Sequence, residues 1–354
     1  MGNIIGKRNK KSYDVSSNET STRSISNHVS AIHSGGILGM TQLSDNEVVT
    51  CSDDKTIAIF NVDQKQIRQY LKGHTKAVNR VISDGHYIWS CSRDLCVKQW
   101  DSRTGNCERT INDAHLLNIS GLAVCAEKQE LCSGSRDYAV KTWDLSTGAC
   151  RETFSAPRNI VTCMQYDYSG NLIYQGSEDL CVRIWDTRSS SKQPSIHITG
   201  YVYFPLCMSS CPSSGGTYLA TGCKGFNGVG CEVKVWDIRN VSHVPVADMH
   251  GHEHDVNSCQ FVHSNQLLSA SKDGSCVIWN PQLNLGQKIA KYISPDFLQY
   301  TSMALSSSSI GSPAGTSFSL GAFNGVFSNF SLVNQNSIRC NYTTTGSSNG
   351  EIMP

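Results

Sequence analysis

The stretch SRDYAVKTWDLSTG, residues 135–148, decides the fold. Ser135-x-Asp137 reads as a turn, and the run after it alternates apolar and polar side chains up to Trp143, followed by Asp144. Period-two alternation in a run rich in Val, Thr and aromatics marks a strand rather than a helix. The same phrase recurs with an unvarying spacing of six residues: Asp54 with Phe60, Asp94 with Trp100, Asp137 with Trp143, Asp179 with Trp185, and Asp273 with Trp279. A sixth copy, EVKVWDIR (232–239), keeps Trp236 and Asp237 but carries the glycine-rich KGFNGVGC (224–231) where the turn belongs. A seventh, LGAFNGVFSNFSL (320–332), is the most degraded.

Along Phe60, Trp100, Trp143, Trp185, Trp236, Trp279 and Phe330 the intervals are 40, 43, 42, 51, 43 and 51 residues by subtraction. A period of this length, with several short strands per unit, cannot bury its faces one unit at a time; neighbouring units have to stack around an axis. These residues resemble the WD-repeat family over about residues 31–343. The resemblance implies an all-β, seven-bladed WD-repeat beta-propeller, preceded by a basic, Ser/Asn-rich leader (1–30) and followed by a tail (344–354). Two segments compete for the outer strand of the last blade, residues 22–30 and SIRCNYTTT (337–345). The serine-rich SSSSIGSPAGTS (306–317) reads as a loop within that blade.

In the WD-repeat family a His, a Ser or Thr, the turn Asp and the strand Trp form a hydrogen-bonded tetrad. Three units carry the full set: His74, Ser90, Asp94 and Trp100; His115, Ser133, Asp137 and Trp143; His252, Ser269, Asp273 and Trp279. The first unit keeps His33, Thr50 and Asp54 with Phe60 in place of Trp. The fourth has Asn159 and Gln175 in place of His and Ser, and there the network is expected to be partial or absent. A buried indole N–H needs an acceptor, and a His–Asp pair fixes the turn while leaving no group unmatched. His, Asp and Ser also invite a catalytic reading, but a constellation repeated around a ring argues for structure. No nucleophile elbow, phosphate-binding loop or metal-ligand spacing appears, so neither catalysis, a cofactor nor a metal is expected.

The runs SRDYAVKTWDLSTG, NIVT, QGSEDLCVRIWDTR and GFNGVGCEVKVWDIR together resemble the WD repeat-containing protein 31 group within that family. That resemblance implies a non-enzymatic adaptor associated with cilia and their trafficking. Three units end in Trp-Asp-x-Arg, at Arg103, Arg188 and Arg239, which resembles the motif by which some WD-repeat proteins serve as substrate receptors of cullin-RING ubiquitin ligases. The same ending is frequent in ordinary repeats, so the scaffold reading is preferred.

Composition narrows the partners. With 30 Lys and Arg against 29 Asp and Glu the net charge is +1, which gives no general pull toward nucleic acid. No small-molecule substrate is expected either. Most of the 16 cysteines fall within strand-like runs such as SCSRDLCVKQW (90–100) and ELCSGS (130–135), and they read as reduced core residues without a C-x-x-C pair. No secretory signal is read at the N-terminus, so a cytoplasmic protein is expected and the Asn-x-Ser/Thr triplets at Asn118, Asn240, Asn329 and Asn341 are coincidental.

On one face of such a wheel the turns would present Arg93, Arg136, Arg158, Lys224 and Lys272, with Asp53 and Glu178 as acidic exceptions. This suggests a partner with an acidic segment. The cluster Tyr201, Tyr203 and Phe204 is either an anchor for that partner or packing of the fifth blade. Gly2 approaches the myristoylation pattern, with Gly6 where Ser or Thr is preferred, and Lys7, Arg8, Lys10 and Lys11 would supply a second membrane signal. The alternative is a polar leader too poor in apolar residues to fold.

Overall fold

The computed structural model describes residues 29–306 and 316–345, apart from 157, 190, 192, 213, 214, 241–243, 264, 283–285 and 334–336. Residues 1–28 of the basic leader, Gly2 included, and most of the serine-rich segment lie outside the described residues. Those described contain no α-helix. Consecutive strands form seven antiparallel sheets spanning residues 37–72, 78–111, 119–155, 161–198, 205–249, 256–293 and 300–345. The first strand of each sheet packs against the first strands of both neighbours, and the first sheet meets the seventh. The molecule is a seven-bladed β-propeller.

The residue just before each turn sets how closely two blades approach. In chain order it is Cys51, Cys91, Gly134, Gly176, Gly222, Ala270 and Gly321, all small. A Cβ added at Gly134 would lie 2.6 Å from the Cγ1 of Val161, and one at Gly222 would lie 2.7 Å from the Cγ1 of Val256. At Gly321 it would lie 2.6 Å from the Cγ2 of Ile37. Val161, Val256 and Ile37 each open the inner strand of the next blade. The small residue is therefore a slot for the neighbour's first side chain, and thiols fill it in blades one and two. All sixteen cysteines are free.

A second feature repeats in every blade. The turn between the second and third strands donates a backbone N–H to the loop that enters the blade: Asp53 to Gly36, Arg93 to Ala77, Arg136 to Asn118, Glu178 to Ile160, Lys224 to Phe204, Lys272 to Asp255, and Phe323 to Gln299, at 2.9–3.0 Å in most blades and 3.1 Å in blade three. These pairs place all fourteen segments on one face of the wheel. In five blades the Ser of Ser-x-Asp accepts the Asp N–H, at 3.1 Å for Asp94 and Ser92, which explains the phrase that recurs in the sequence.

The ring closes by using both segments that competed for the last strand. Ser337–Thr345 is the fourth strand of blade seven, and Val29–Ser30 adds a fifth, parallel to it, with Val29 opposite Thr344 and Ser30 opposite Thr345. The propeller thus runs to Thr345, past the boundary at 343 read from sequence; the buried Thr344 hydroxyl accepts the Phe327 N–H at 2.8 Å. Between blades seven and one, Phe60 and Phe327 pack with ring centroids 4.8 Å apart, and the Tyr342 hydroxyl donates to the Val62 carbonyl at 2.9 Å. Deleting residues 340–354 removes this closure and is expected to lower the thermal midpoint sharply. Deleting residues 1–30 removes two paired positions among the described residues, Val29 and Ser30, so its melting curve, recorded by circular dichroism, should move far less.

Candidate functional site

The polar groups beneath the turn face come first, because they decide whether chemistry can occur there. In blade two the Nδ1 of His74 lies 2.8 Å from an Asp94 carboxylate oxygen, its Nε2 lies 2.8 Å from the Ser90 hydroxyl, and the Trp100 indole N–H donates to that hydroxyl at 2.8 Å. Blade three repeats this with His115, Asp137, Ser133 and Trp143 at 3.0, 2.8 and 2.8 Å. Blade six keeps His252, Ser269 and Trp279 at 2.6 and 2.7 Å, but His252 Nδ1 lies nearer the Ser275 hydroxyl, at 2.9 Å, than Asp273, at 3.4 Å, and that hydroxyl donates to Asp273. In blades two and three one proton assignment satisfies every group: His Nδ1–H donates to Asp, Ser Oγ–H donates to His Nε2, and the Ser oxygen accepts from Trp. Each of the three serines is 0% exposed, with its oxygen already engaged, so no substrate can reach it.

Blade one omits the indole. His33 bonds Thr50 at 2.8 Å and Asp54 at 3.1 Å, and Phe60 needs no acceptor. Blade four is where the expectation from sequence fails: its network is neither partial nor absent. Arg183, on the third strand, takes the place of the His, reaching Asp179 with both terminal guanidinium nitrogens and Asn159 Oδ1 at 3.1 Å. Gln175 donates to the same Asn159 oxygen at 2.5 Å and accepts the Trp185 indole N–H at 3.1 Å. A planar fork matches a carboxylate in two places, which a His cannot do. Blade five has a shorter version, in which Thr221 lies 3.2 Å from the buried Tyr201 hydroxyl and accepts the Trp236 N–H at 3.3 Å. Tyr201 is accordingly a packing residue.

The face above this girdle carries the remaining candidates. Arg93 lies 3.5 Å from Asp53 and Arg136 lies 3.4 Å from Glu178, so two of the five basic residues meet the two acidic exceptions in exposed pairs. Such pairs contribute little, and Glu253 and Asp255 share the face, so charge alone does not define it. Lys224 sits over the half-buried Phe204 ring at 4.9 Å, while Arg158 and Lys272 are exposed on their loops. Tyr203 is exposed.

What sequence reasoning missed is apolar. Of fifteen large hydrophobic side chains exposed among the described residues, ten lie on the turn face. Leu116 (83% exposed), Leu117 and Tyr138 belong to blade three, and Leu180 to blade four. Val202, Tyr203, Phe226 (62%) and Val229 cluster at blade five, where the glycine-rich insert forms a small hairpin through the Phe226–Val229 bridge. Phe297 (81%) and Phe323 stand at blade seven. The signal was present in the sequence: Leu116 directly follows a tetrad His, and Tyr138 and Leu180 directly follow a turn Asp, positions that face solvent.

On the opposite side, the Arg188 fork closes on its own Asp186 at 2.9 and 2.8 Å, and Arg239 approaches Asp237 in the same manner. At Arg188 and Arg239 the Trp-Asp-x-Arg ending is thus a self-contained turn, while at Arg103 it is the backbone N–H that bonds Asp101, at 3.0 Å. Among the described residues no group of three or more His, Cys, Asp or Glu is placed to hold a metal, and no helix is long and apolar enough to cross a membrane.

Two expectations follow from the girdle. Burial works to raise the Asp137 carboxyl, but hydrogen bonds from His115 and from the Leu116 and Ala139 N–H groups outweigh it and hold it at about 2. A carboxyl depressed in the folded state stabilises the fold above its unfolded value of about 3.9, and that stabilisation disappears as pH falls through the folded value. Urea denaturation between pH 5 and 2, conditions chosen about these two values, should show stability declining with acid, and Asp137→Asn should start lower and decline less. In blade four, Arg183→Ala strands Asp179 and should cost about 3 kcal/mol. Arg183→Lys should recover only part of this, because a compact ammonium lacks the planar fork that meets both Asp179 oxygens; chemical denaturation of the three proteins measures both.

The WD domain, G-beta repeat family matches residues 64–101, 148–186 and 243–280, each match ending at the third strand of an even-numbered blade. Nuclear distribution protein PAC1 of Ajellomyces capsulatus (strain H143) is 29% identical over 251 residues, covering 65% of this chain and 54% of that protein. Pre-mRNA-processing factor 19 of Bos taurus is 28% identical over 175 residues, 47% of this chain and 34% of that one. The chain therefore spans about half the length, or less, of these curated relatives. These similarities reach the repeat family and do not single out the WD repeat-containing protein 31 group. With three stretches matched to that repeat and seven blades closed on one axis, the chain is a seven-bladed β-propeller similar to the WD domain, G-beta repeat family.

Proposed function

We propose that the protein is a non-catalytic interaction scaffold that binds a partner protein across the turn face of blades three to seven. The apolar residues carry this reading. Ten of the fifteen large hydrophobic side chains exposed among the described residues share one face, and apolar patches of this kind mark binding sites. Tyr203, Phe226 and Phe297 are aromatic anchors of the kind that dominate interface energetics. Arg158, Lys224 and Lys272 stand beside them, which favours a partner segment with apolar residues interleaved with acidic ones. The sealed serines of the girdle speak against catalysis at this face.

The finer reading places the scaffold at a membrane through Gly2, with Lys7, Arg8, Lys10 and Lys11 as the basic second signal, and in ciliary trafficking through the resemblance to the WD repeat-containing protein 31 group. Its support lies in the sequence alone. The mass of the protein isolated from eukaryotic cells tests the anchor: a myristoyl adduct on Gly2 supports it, and an unmodified Gly2 or retained Met1 removes it.

Proximity labelling in cells tests the face. The double variant Leu116→Glu/Phe226→Glu should lose the principal labelled partners with an unchanged melting temperature, since neither side chain is buried. Arg188→Ala/Arg239→Ala should keep them. Retention of all partners by the first variant, or their loss by the second, would move the binding surface elsewhere.

A further inference from the structure

The inner strands of the blades wall a central cavity of ≈ 180 Å³ whose lining includes Cys163, Cys207 and Cys259. Cys207 lies on Pro205–Ser210, the inner strand of blade five, and Cys259 on Val256–His263, the inner strand of blade six. Their sulfurs are 3.5 Å apart, and the Cys207 sulfur is also 3.4 Å from the Val256 carbonyl oxygen. Gly222 makes room for it, since a Cβ there would lie 2.6 Å from that sulfur. Packing alone asks for small apolar groups at these positions. It does not ask for two thiols facing each other across a blade boundary with a cavity beside them.

We propose that Cys207 and Cys259 are a redox-active dithiol that closes to an inter-blade disulfide when a small hydroperoxide enters the channel. The partly exposed Cys207 reacts first, because Cys259 is only 2% exposed. The hydrogen bond from Cys207, together with burial, also holds the Cys259 thiol well above its usual range. The Cys207 sulfur attacks one peroxide oxygen; the O–O bond breaks, the sulfur is oxidised to a sulfenic acid, and the other oxygen leaves as water or an alcohol with the thiol proton. The Cys259 sulfur then attacks the Cys207 sulfur, the S–O bond breaks, and water leaves with the second thiol proton. In sum, two thiols and one hydroperoxide give a disulfide, an alcohol or water, and one water. The sulfurs must approach by about 1.5 Å to reach bonding distance. A cavity of this size admits hydrogen peroxide, which is little larger than the water whose share of liquid volume is about 30 Å³.

The full chain, purified reduced, is treated with hydrogen peroxide and alkylated under denaturing conditions. The expected result is a loss of 2 Da (two hydrogen atoms) before alkylation, reversed by dithiothreitol, with fragmentation locating the bond between Cys207 and Cys259. Fragmentation is needed because Cys211 and Cys223 lie close to Cys207 in sequence. In Cys259→Ser and in Cys259→Ala the sulfenic acid should persist on Cys207 and be trapped by dimedone. The proposal is overturned if the wild-type chain loses no mass, if the bond joins Cys207 to Cys163, Cys211 or Cys223, or if a folded Cys259 variant yields no dimedone adduct at Cys207. Should both variants fail to fold, the bond mapped in the wild-type chain decides.

Discussion

Seven sheets can share one axis only if their innermost strands touch, and a single position per blade sets that distance. Gly134, Gly176, Gly222 and Gly321 each leave a slot for the first residue of the following blade, and Cys51, Cys91 and Ala270 put a small side chain at the same place. A branched side chain there would push two blades apart, and because the ring is closed the displacement could not be absorbed at a free edge. Dense interiors transmit such strain instead of hiding it. A turn-to-loop hydrogen bond present in all seven blades then fixes the two segments of each blade that stand at the face.

The side chains below the turns meet one requirement with different chemistry. A buried indole and a turn carboxylate both need partners; His with Ser provides them in blades two, three and six, and Arg with Asn and Gln provides them in blade four. Blade seven uses none of these and instead stacks Phe318 on Phe330, 5.2 Å apart. A turn held by so many bonds presents its outermost residue with little freedom to move, which suits surface residues meant for recognition. The exposure of Tyr138 illustrates this: it sits at φ 72°, a conformation unfavourable for any side chain but glycine, directly after the bonded Asp137.

How much of this was readable beforehand depended on whether a residue's partner was near in sequence. The six-residue spacing from Asp to aromatic reports a local hairpin, so the blades and their number were legible, as were the three regular tetrads. Arg183 was not, because its service to Asp179 and Asn159 depends on the direction of a side chain across the sheet, and an Arg on a strand reads as an ordinary outward residue. The closure was legible only as a choice between Ser337–Thr345 and the segment before residue 31, since edge pairing leaves no periodic trace; the structure uses both. The apolar face was overlooked for a different reason. Leu116, Phe226 and Phe297 are scattered through the chain, and only the common orientation of the loops collects them.

The parallel pairing of Val29–Ser30 with the last strand brings the first and last described residues of the wheel side by side at its rim. Topologically the propeller is then almost a loop without ends, cut at one point of its circumference. Joining the ends through a short linker and opening the chain within another rim turn gives a circular permutant with the same seven wedges, in which the cut can be moved while the recognition face stays intact.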